Sequence, residues 1–466
     1  MEKKLVKKYE YSWEKYNQED LKNVFELSER YKKFISKCKT ERECIDEFIV
    51  KAESNGYKDI NQIIKNNEKL KPGDKIYSNN RGKTLALFII GSESIENGFN
   101  ILGAHVDSPR LDLKQNPLYE DTEIALLKTH YYGGIKKYQW VTIPLAIHGV
   151  IIKKDGTKIN VVIGEDENDP VFGVSDLLIH LSSELLEKKA SKVVEGEDLN
   201  VFVGSIPSSD KECKEKVKQN ILELLNNKYG ICEEDFVSSE LEIVPAGKAR
   251  DYGIDRSMVM AYGHDDRVCA YTSFDAMMEI KECSRTCVTL LVDKEEVGSI
   301  GATGMHSKFF ENSVAEVINL LGGYSQISIR RALTNSKMLS SDVSAAFDPN
   351  YASVMEKRNA AYFGKGIVFN KYTGSKGKSG CNDANPEYIA EIRNILDKAG
   401  VSWQTSELGK VDAGGGGTIA YILAQYDMEV IDCGVALHNM HAPYEIASKA
   451  DIYETRRAYY TFLINA

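Results

Sequence analysis

The chain has only eight histidines, and four of them stand in short motifs that also carry carboxylates. Gly103-Ala104-His105-Val106-Asp107-Ser108-Pro109 follows an apolar run. Residues two apart on a strand share a face, so His105 and Asp107 can point the same way. An imidazole beside a carboxylate suits a metal ligand held in orientation by that carboxylate. Alone, HxD reads more simply as a hydrogen-bonded surface histidine. Gly263-His264-Asp265-Asp266-Arg267 stands just before a predicted helix, where paired carboxylates commonly serve as N-caps. Val292-Asp293-Lys294-Glu295-Glu296-Val297-Gly298 follows a strongly apolar strand. That puts Glu295 and Glu296 at a strand's carboxyl end, where open α/β sheets bind ligands. Adjacent glutamates there can split roles, one ligating and one handling protons; the plain alternative is a solvated loop. Leu339-Ser340-Ser341-Asp342-Val343 and Leu437-His438-Asn439-Met440-His441-Ala442-Pro443-Tyr444-Glu445 complete the set. Singly, each reads as an ordinary loop. Together they offer histidines and carboxylates at predicted strand ends, a donor set that matches two divalent metals bridged by one carboxylate.

Such groups need a scaffold. Thr84 to Ile90, Phe99 to Val106, Cys287 to Asp293 and Met428 to Val435 read as buried strands. Strand-like runs also lie around Gln139 to Ile152 and Asn160 to Ile163. Predicted helices cover Asp176 to Ala190, Asp210 to Lys228, Val268 to Glu282, Ser313 to Leu321, Asn385 to Ala399 and Thr418 to Tyr426. Residues 1 to about 70 read as two or more amphipathic helices with solvated charged faces. Alternating strands and helices imply an α/β fold with a substantial sheet. The glycine run Gly414 to Gly417 reads as a close-packed turn, since no GxGxxG pattern accompanies it. Gly377-Lys378-Ser379 resembles a P-loop tail, but the required upstream glycine is Tyr372.

Composition narrows the classes. Length suits two or three domains, and 59 Lys+Arg against 69 Asp+Glu leave a net charge of −10. That balance argues against a general nucleic-acid binder or a binder of anionic membranes. No apolar run approaches a membrane span, and the N-terminal lysines precede no apolar targeting core. The nine cysteines include no CxxC pair, so they read as reduced thiols of a cytoplasmic protein.

The order HxDSP, DDR, KEEVG, SSD, MHAPYE resembles the aspartyl aminopeptidase family, within the co-catalytic dimetal aminopeptidases. The resemblance runs from about residue 80 to residue 450; HExxH, the mononuclear zinc-protease signature, is absent. It implies that His105 and Asp342 bind one metal, that Glu296 and His441 bind the second, and that Asp265 bridges both. Glu295 would be the general base, and Asp107 would orient His105. The expected cofactors are two divalent ions per subunit, zinc ahead of cobalt or manganese. Two such ions bring +4 and the three carboxylate ligands −3, and one hydroxide, the nucleophile, balances the remainder.

The implied fold is a catalytic domain with a central mixed sheet flanked by helices, formed by 1–114 and 253–466. A β-rich oligomerisation domain over 115–252 would interrupt it. The family forms tetrahedral homododecamers and prefers N-terminal Asp or Glu on peptides with a free N-terminus. Lys371 and Lys376, ahead of Lys378, are the nominated partners of an acidic side chain; each read singly is a solvated loop lysine. A neighbouring subunit's histidine stabilises the oxyanion in the family, and Asp176 or His180 falls nearest that place. His180 read from its apolar surroundings alone is a core histidine. The family often carries histidines near Ala345 and Asp348, and their absence here puts the substrate preference in question. Two competing readings are a dimetal aminopeptidase of broad or neutral specificity and a non-catalytic, metal-stabilised assembly protein. Glu295 argues against the latter, since a structural site needs no general base.

Overall fold

A computed structural model describes residues 9–210, 212–374 and 376–466, so the lysine-bearing first eight residues lie outside it. The chain divides into two compact units: residues 1–107, 249–440 and 445–466 form the first, and 108–248 with 441–444 form the second.

The first unit is built on a nine-stranded mixed sheet. In chain order its strands are β1 (Lys58–Asp59), β2 (Lys75–Asn80), β3 (Thr84–Ile89), β4 (Phe99–His105), β5 (Thr286–Val292), β6 (Lys337–Ser341), β7 (Ile367–Asn370), β8 (Trp403–Thr405) and β9 (Glu429–Gly434). Their spatial order is β1-β2-β3-β5-β4-β6-β9-β7-β8. The four neighbours β5, β4, β6 and β9 run parallel, so their carboxyl ends share one edge. Strands covered on both faces read as nearly unbroken apolar runs, which is why the parallel β4 and β5 and the antiparallel β3 beside them are buried at every position.

Alternate residues serve two cores. Leu85, Leu87, Leu102 and Leu291 face α1 (Gln18–Lys37), α2 (His264–Glu279), α4 (Pro386–Lys398) and α6 (Lys449–Asn465). Phe88, Ile101, Leu290 and Val430 face α3 (Phe309–Leu320) and the short α5 (Ala420–Ala424). The glycine run is tight only where it begins: a Cβ on Gly414 would lie 1.9 Å from the Leu408 carbonyl oxygen, whereas Gly417 has open space around it, which corrects the reading of the whole run as close-packed.

The second unit carries a six-stranded antiparallel sheet, from Arg110–Asp121 through Ser239–Pro245. The carboxylate of Glu120 accepts the backbone N–H groups of Val217 and Lys218, anchoring the start of the helix Lys216–Tyr229.

The helix expected over Asp176 to Ala190 is not formed. The segment holds a 3-10 turn at Ile179–Leu181 and four-residue helices at Ser183–Leu186 and Ala190–Val193. Its apolar residues find no covering face among the described residues: Ile179 is 66% exposed, Leu181 67% and Leu186 67%. Without a surface to pack on, so short a helix gains too little to propagate. His180 is therefore exposed, which corrects its reading as a core histidine. Among the described residues, no helix is long and apolar enough to cross a membrane.

Candidate metal centre

The carboxyl edge of the parallel strands gathers five of the nominated residues. His105 ends β4, Glu295 and Glu296 follow β5, Asp342 follows β6, and Asp265 opens α2. The ring of His105 is buried, and its Nδ1 lies 3.0 Å from the Asp107 carbonyl oxygen and 3.3 Å from Asp107 Oδ1. Donation from Nδ1 leaves the lone pair on Nε2. That nitrogen makes no hydrogen bond, and it faces Asp265 Oδ1 at 3.3 Å, Glu295 Oε2 at 3.9 Å and Asp342 Oδ1 at 3.9 Å. A neutral ring's lone pair turned toward three carboxylates is repulsive, so the geometry calls for positive charge here, either a proton on Nε2 or a cation among the carboxylates. Two donor sets satisfy the spacing for an ion: His105, Asp266 and Asp342, and His105, Asp265 and Glu296.

Three backbone clamps hold this edge together. The Asp107 carboxylate accepts the N–H of Glu295 on Oδ1 and of Glu296 on Oδ2, both at 3.2 Å, and so fixes the loop after β5. Asp266 Oδ2 accepts the His105 N–H at 3.3 Å, and Arg267 Nε donates to the Val106 carbonyl at 3.0 Å. The second and third residues of the DDR motif thus grip the HxD segment while the first faces the imidazole. Glu445, almost wholly buried, accepts the Asp265 N–H at 3.0 Å. Asp266 and Glu445 lie inside motifs the sequence singles out, but their bonds join residues 161 and 180 positions apart.

Electrostatics match the crowding. Burial pushes the Asp342 carboxyl well above the usual range, and the charges of Asp265 and Asp266 push it further. Burial alone would lower the His105 pKa; the carboxylates of Asp107 and Asp265 overcome that and hold it well above the ordinary value. A cation among the carboxylates relieves both strains. His264, next in sequence, has a structural part. Its Nε2 donates to the Val259 carbonyl, its Nδ1 accepts from the Tyr31 hydroxyl, and burial lowers its pKa to about 4.

The remaining nominees are not members of these donor sets. His441 falls in the short 441–444 segment of the second unit, where its Nδ1 donates to the Gly134 carbonyl at 2.8 Å. That bond places the ring's lone pair on Nε2. His180 is exposed on the second unit. Lys371 and Lys376 are exposed on the loop after β7. Lys371 and Lys378 bind the two oxygens of Asp383, and Lys378 lies 3.8 Å over the Tyr372 ring.

A family profile described as Aminopeptidase I zinc metalloprotease (M18) matches residues 34–463. A probable M18 family aminopeptidase 1 of Clostridium acetobutylicum is 71% identical over 461 residues, 99% of each chain. The crystal structure of aminopeptidase I from that organism superposes with a TM-score of 0.93 at 70% identity, over 99% of this chain and 100% of that one. A structure described as the S. cerevisiae mApe1 dodecamer shares the fold at 20% identity, TM-score 0.77, over 94% of this chain and 97% of the other.

Proposed function

The chain belongs to the M18 family of zinc metalloaminopeptidases, and on that footing we propose that it removes single residues from the free N-terminus of peptides, Asp and Glu ahead of others. The observation that carries this reading is His105 Nε2, buried without a hydrogen-bond partner and set among the carboxylates of Asp265, Glu295 and Asp342. His105 and Asp342 would hold one divalent ion, Glu296 and His441 a second, and Asp265 both, with zinc ahead of cobalt or manganese. Bound ions lower the pKa of water from about 15.7 toward about 7 and polarise a carbonyl. Glu295 takes the proton of the attacking water and returns it to the departing amine. Asp107 serves twice, orienting the His105 ring and ordering Glu295 and Glu296. The Gly134 bond to His441 Nδ1 supports Nε2 as that residue's ligand nitrogen.

Lys371 and Lys376 are our assignment for the acidic side chain. One observation favours the second reading, a broad or neutral preference: Asp383 already neutralises Lys371 and Lys378. We assign the 115–252 region to self-assembly, as a homo-oligomer of dodecameric order like the one described for the yeast relative. The exposed apolar stretch around Ile179 and Leu181 supports this, because a second copy would bury it. The exposed His180 in that stretch, or Asp176 beside it, would then be offered to the neighbouring subunit as the oxyanion partner. Largely buried cysteine thiols support a cytoplasmic setting.

The test is a panel of aminoacyl-anilides assayed before and after chelation and metal return. Turnover of Asp and Glu anilides, lost to chelator and restored by zinc, cobalt or manganese, is the expected result. Turnover of neutral anilides alone removes the lysine assignment and keeps the metal chemistry. Absence of turnover with metal bound overturns the reading in favour of an assembly protein.

A further inference from the structure

Beneath the carboxyl edge, a second carboxylate is buried without any part in the cluster. Asp432 lies in β9, opposite Ser340 of β6 and Asn370 of β7. Those two neighbours lead respectively to Asp342 and to the lysine loop. Asp432 is 1% exposed, and its Oδ2 has no hydrogen-bond partner. Its Oδ1 accepts one bond, at 2.5 Å, from the hydroxyl of Thr418. Thr418 ends the glycine run, and its hydroxyl oxygen also accepts the Ala420 N–H at 3.3 Å. Within the run, Gly416 N–H donates to the Thr373 carbonyl at 3.2 Å, in the middle of the lysine loop. The loop's two ends are tied as well. The Ala384 N–H donates to the Lys371 carbonyl, while Asn370 donates to Ser344 Oγ and accepts from Ser406 Oγ.

We propose that Asp432 is a positioning residue for the substrate-selecting loop, acting through the Thr418 hydroxyl, the glycine run and the Gly416–Thr373 bond. A buried carboxylate is costly, and hydrogen bonding to a single exposed-side hydroxyl is a poor return in stability alone. It makes sense as an anchor. Four successive glycines have the largest conformational freedom of any run, and a rigid partner at one end removes much of it. The glycines let the run pass against the Leu408 carbonyl; Asp432 decides where it then points.

The proposal rests on the assignment of Lys371 and Lys376 to the substrate's acidic side chain, and the experiment separates the two. Thr418→Val deletes the hydroxyl and keeps the shape. Hydrogen exchange across residues 371–384 is compared in the metal-loaded wild type, T418V and T418S, alongside KM and kcat on the anilide the wild type turns over fastest. T418V should raise exchange in 371–384 at least tenfold and KM about fivefold or more. Its kcat should stay within twofold and its zinc content should not change; T418S should restore both readouts. Unchanged exchange in T418V overturns the proposal whatever the activity. Raised exchange with unchanged KM keeps the anchor but overturns its role in substrate selection, and with it the lysine assignment. Loss of kcat and zinc together assigns Asp432 to general stability and overturns the proposal. Asp432→Leu, which removes the acceptor at similar volume, gives the same readouts should T418V fail to fold.

Discussion

Asp107→Asn is the sharpest probe of the site's internal scaffolding. Asp107 is fully buried, and each of its carboxylate oxygens accepts one backbone N–H, from Glu295 and Glu296 at 3.2 Å. Oδ1 also lies 3.3 Å from His105 Nδ1. Asparagine supplies one acceptor oxygen and turns an NH2 group toward the other N–H. One bond to a charged acceptor is lost, about 1.5–3 kcal/mol, and two donors are left facing each other. At about 1.4 kcal/mol per tenfold, zinc affinity should fall by roughly 10- to 150-fold, in the range seen when groups supporting a metal ligand are removed. The fall should appear in a competition titration against a chromophoric chelator, with the thermal midpoint of the metal-free protein shifted by only a few degrees. A zinc Kd within threefold of wild type would refute the claim that Asp107 orders the two glutamates.

Glu295→Gln should lower kcat by about 10²–10⁴ while leaving zinc content intact, since it removes a proton carrier and no assigned ligand; coupled metal analysis and steady-state kinetics check this. Gly434→Ala should weaken both metal binding and stability, because the added Cβ would lie 2.0 Å from the carbonyl oxygen of Asp342; equilibrium unfolding and zinc titration read the two effects. Asp432 is held near a pKa of about 7 by burial, against an ordinary carboxyl value of 3.8. Its folded pKa is raised, so its contribution to stability is full below about 4 and is lost as pH rises through about 7. Wild type should therefore lose stability relative to D432N across that window, by on the order of 4 kcal/mol at most. A constant difference between the two proteins from pH 4 to pH 8 would contradict it.

Much of the first unit was legible because its patterns are local. β3, β4 and β5 are short apolar runs bounded by polar turns, and strands buried on both faces must look like that, whichever way they run. His105, Glu295, Glu296 and Asp342 sit in the few residues after such runs, where only a ligand edge gives charged groups a reason to cluster. Long-range bonds left no such trace. Nothing around Glu445 says that its carboxylate meets the Asp265 N–H, and Asp266 looks like half of an N-cap pair until its bond to His105 is seen. The 176–190 segment misled for a different reason. Leu177, Leu178, Ile179 and Leu181 look like a helix face, but a face needs something to cover it, and among the described residues nothing does.

The insertion of the second unit between β4 and its two sheet neighbours sets a timetable. On a ribosome, His105 emerges with no partner strand, and Asp342 follows roughly 240 residues later, a delay of about 10–50 seconds at typical rates of synthesis. Until β5 and β6 arrive to flank β4, the imidazole lacks the carboxylates of Glu295, Glu296 and Asp342, with Asp107 and Asp265 alone already made. On the ligand set proposed above, a chain that stalls, or is cut anywhere before that point, lacks Asp342 and cannot assemble the metal centre. The threading of the sheet would then work as an inhibitory pro-segment does, by withholding the site until synthesis is nearly done.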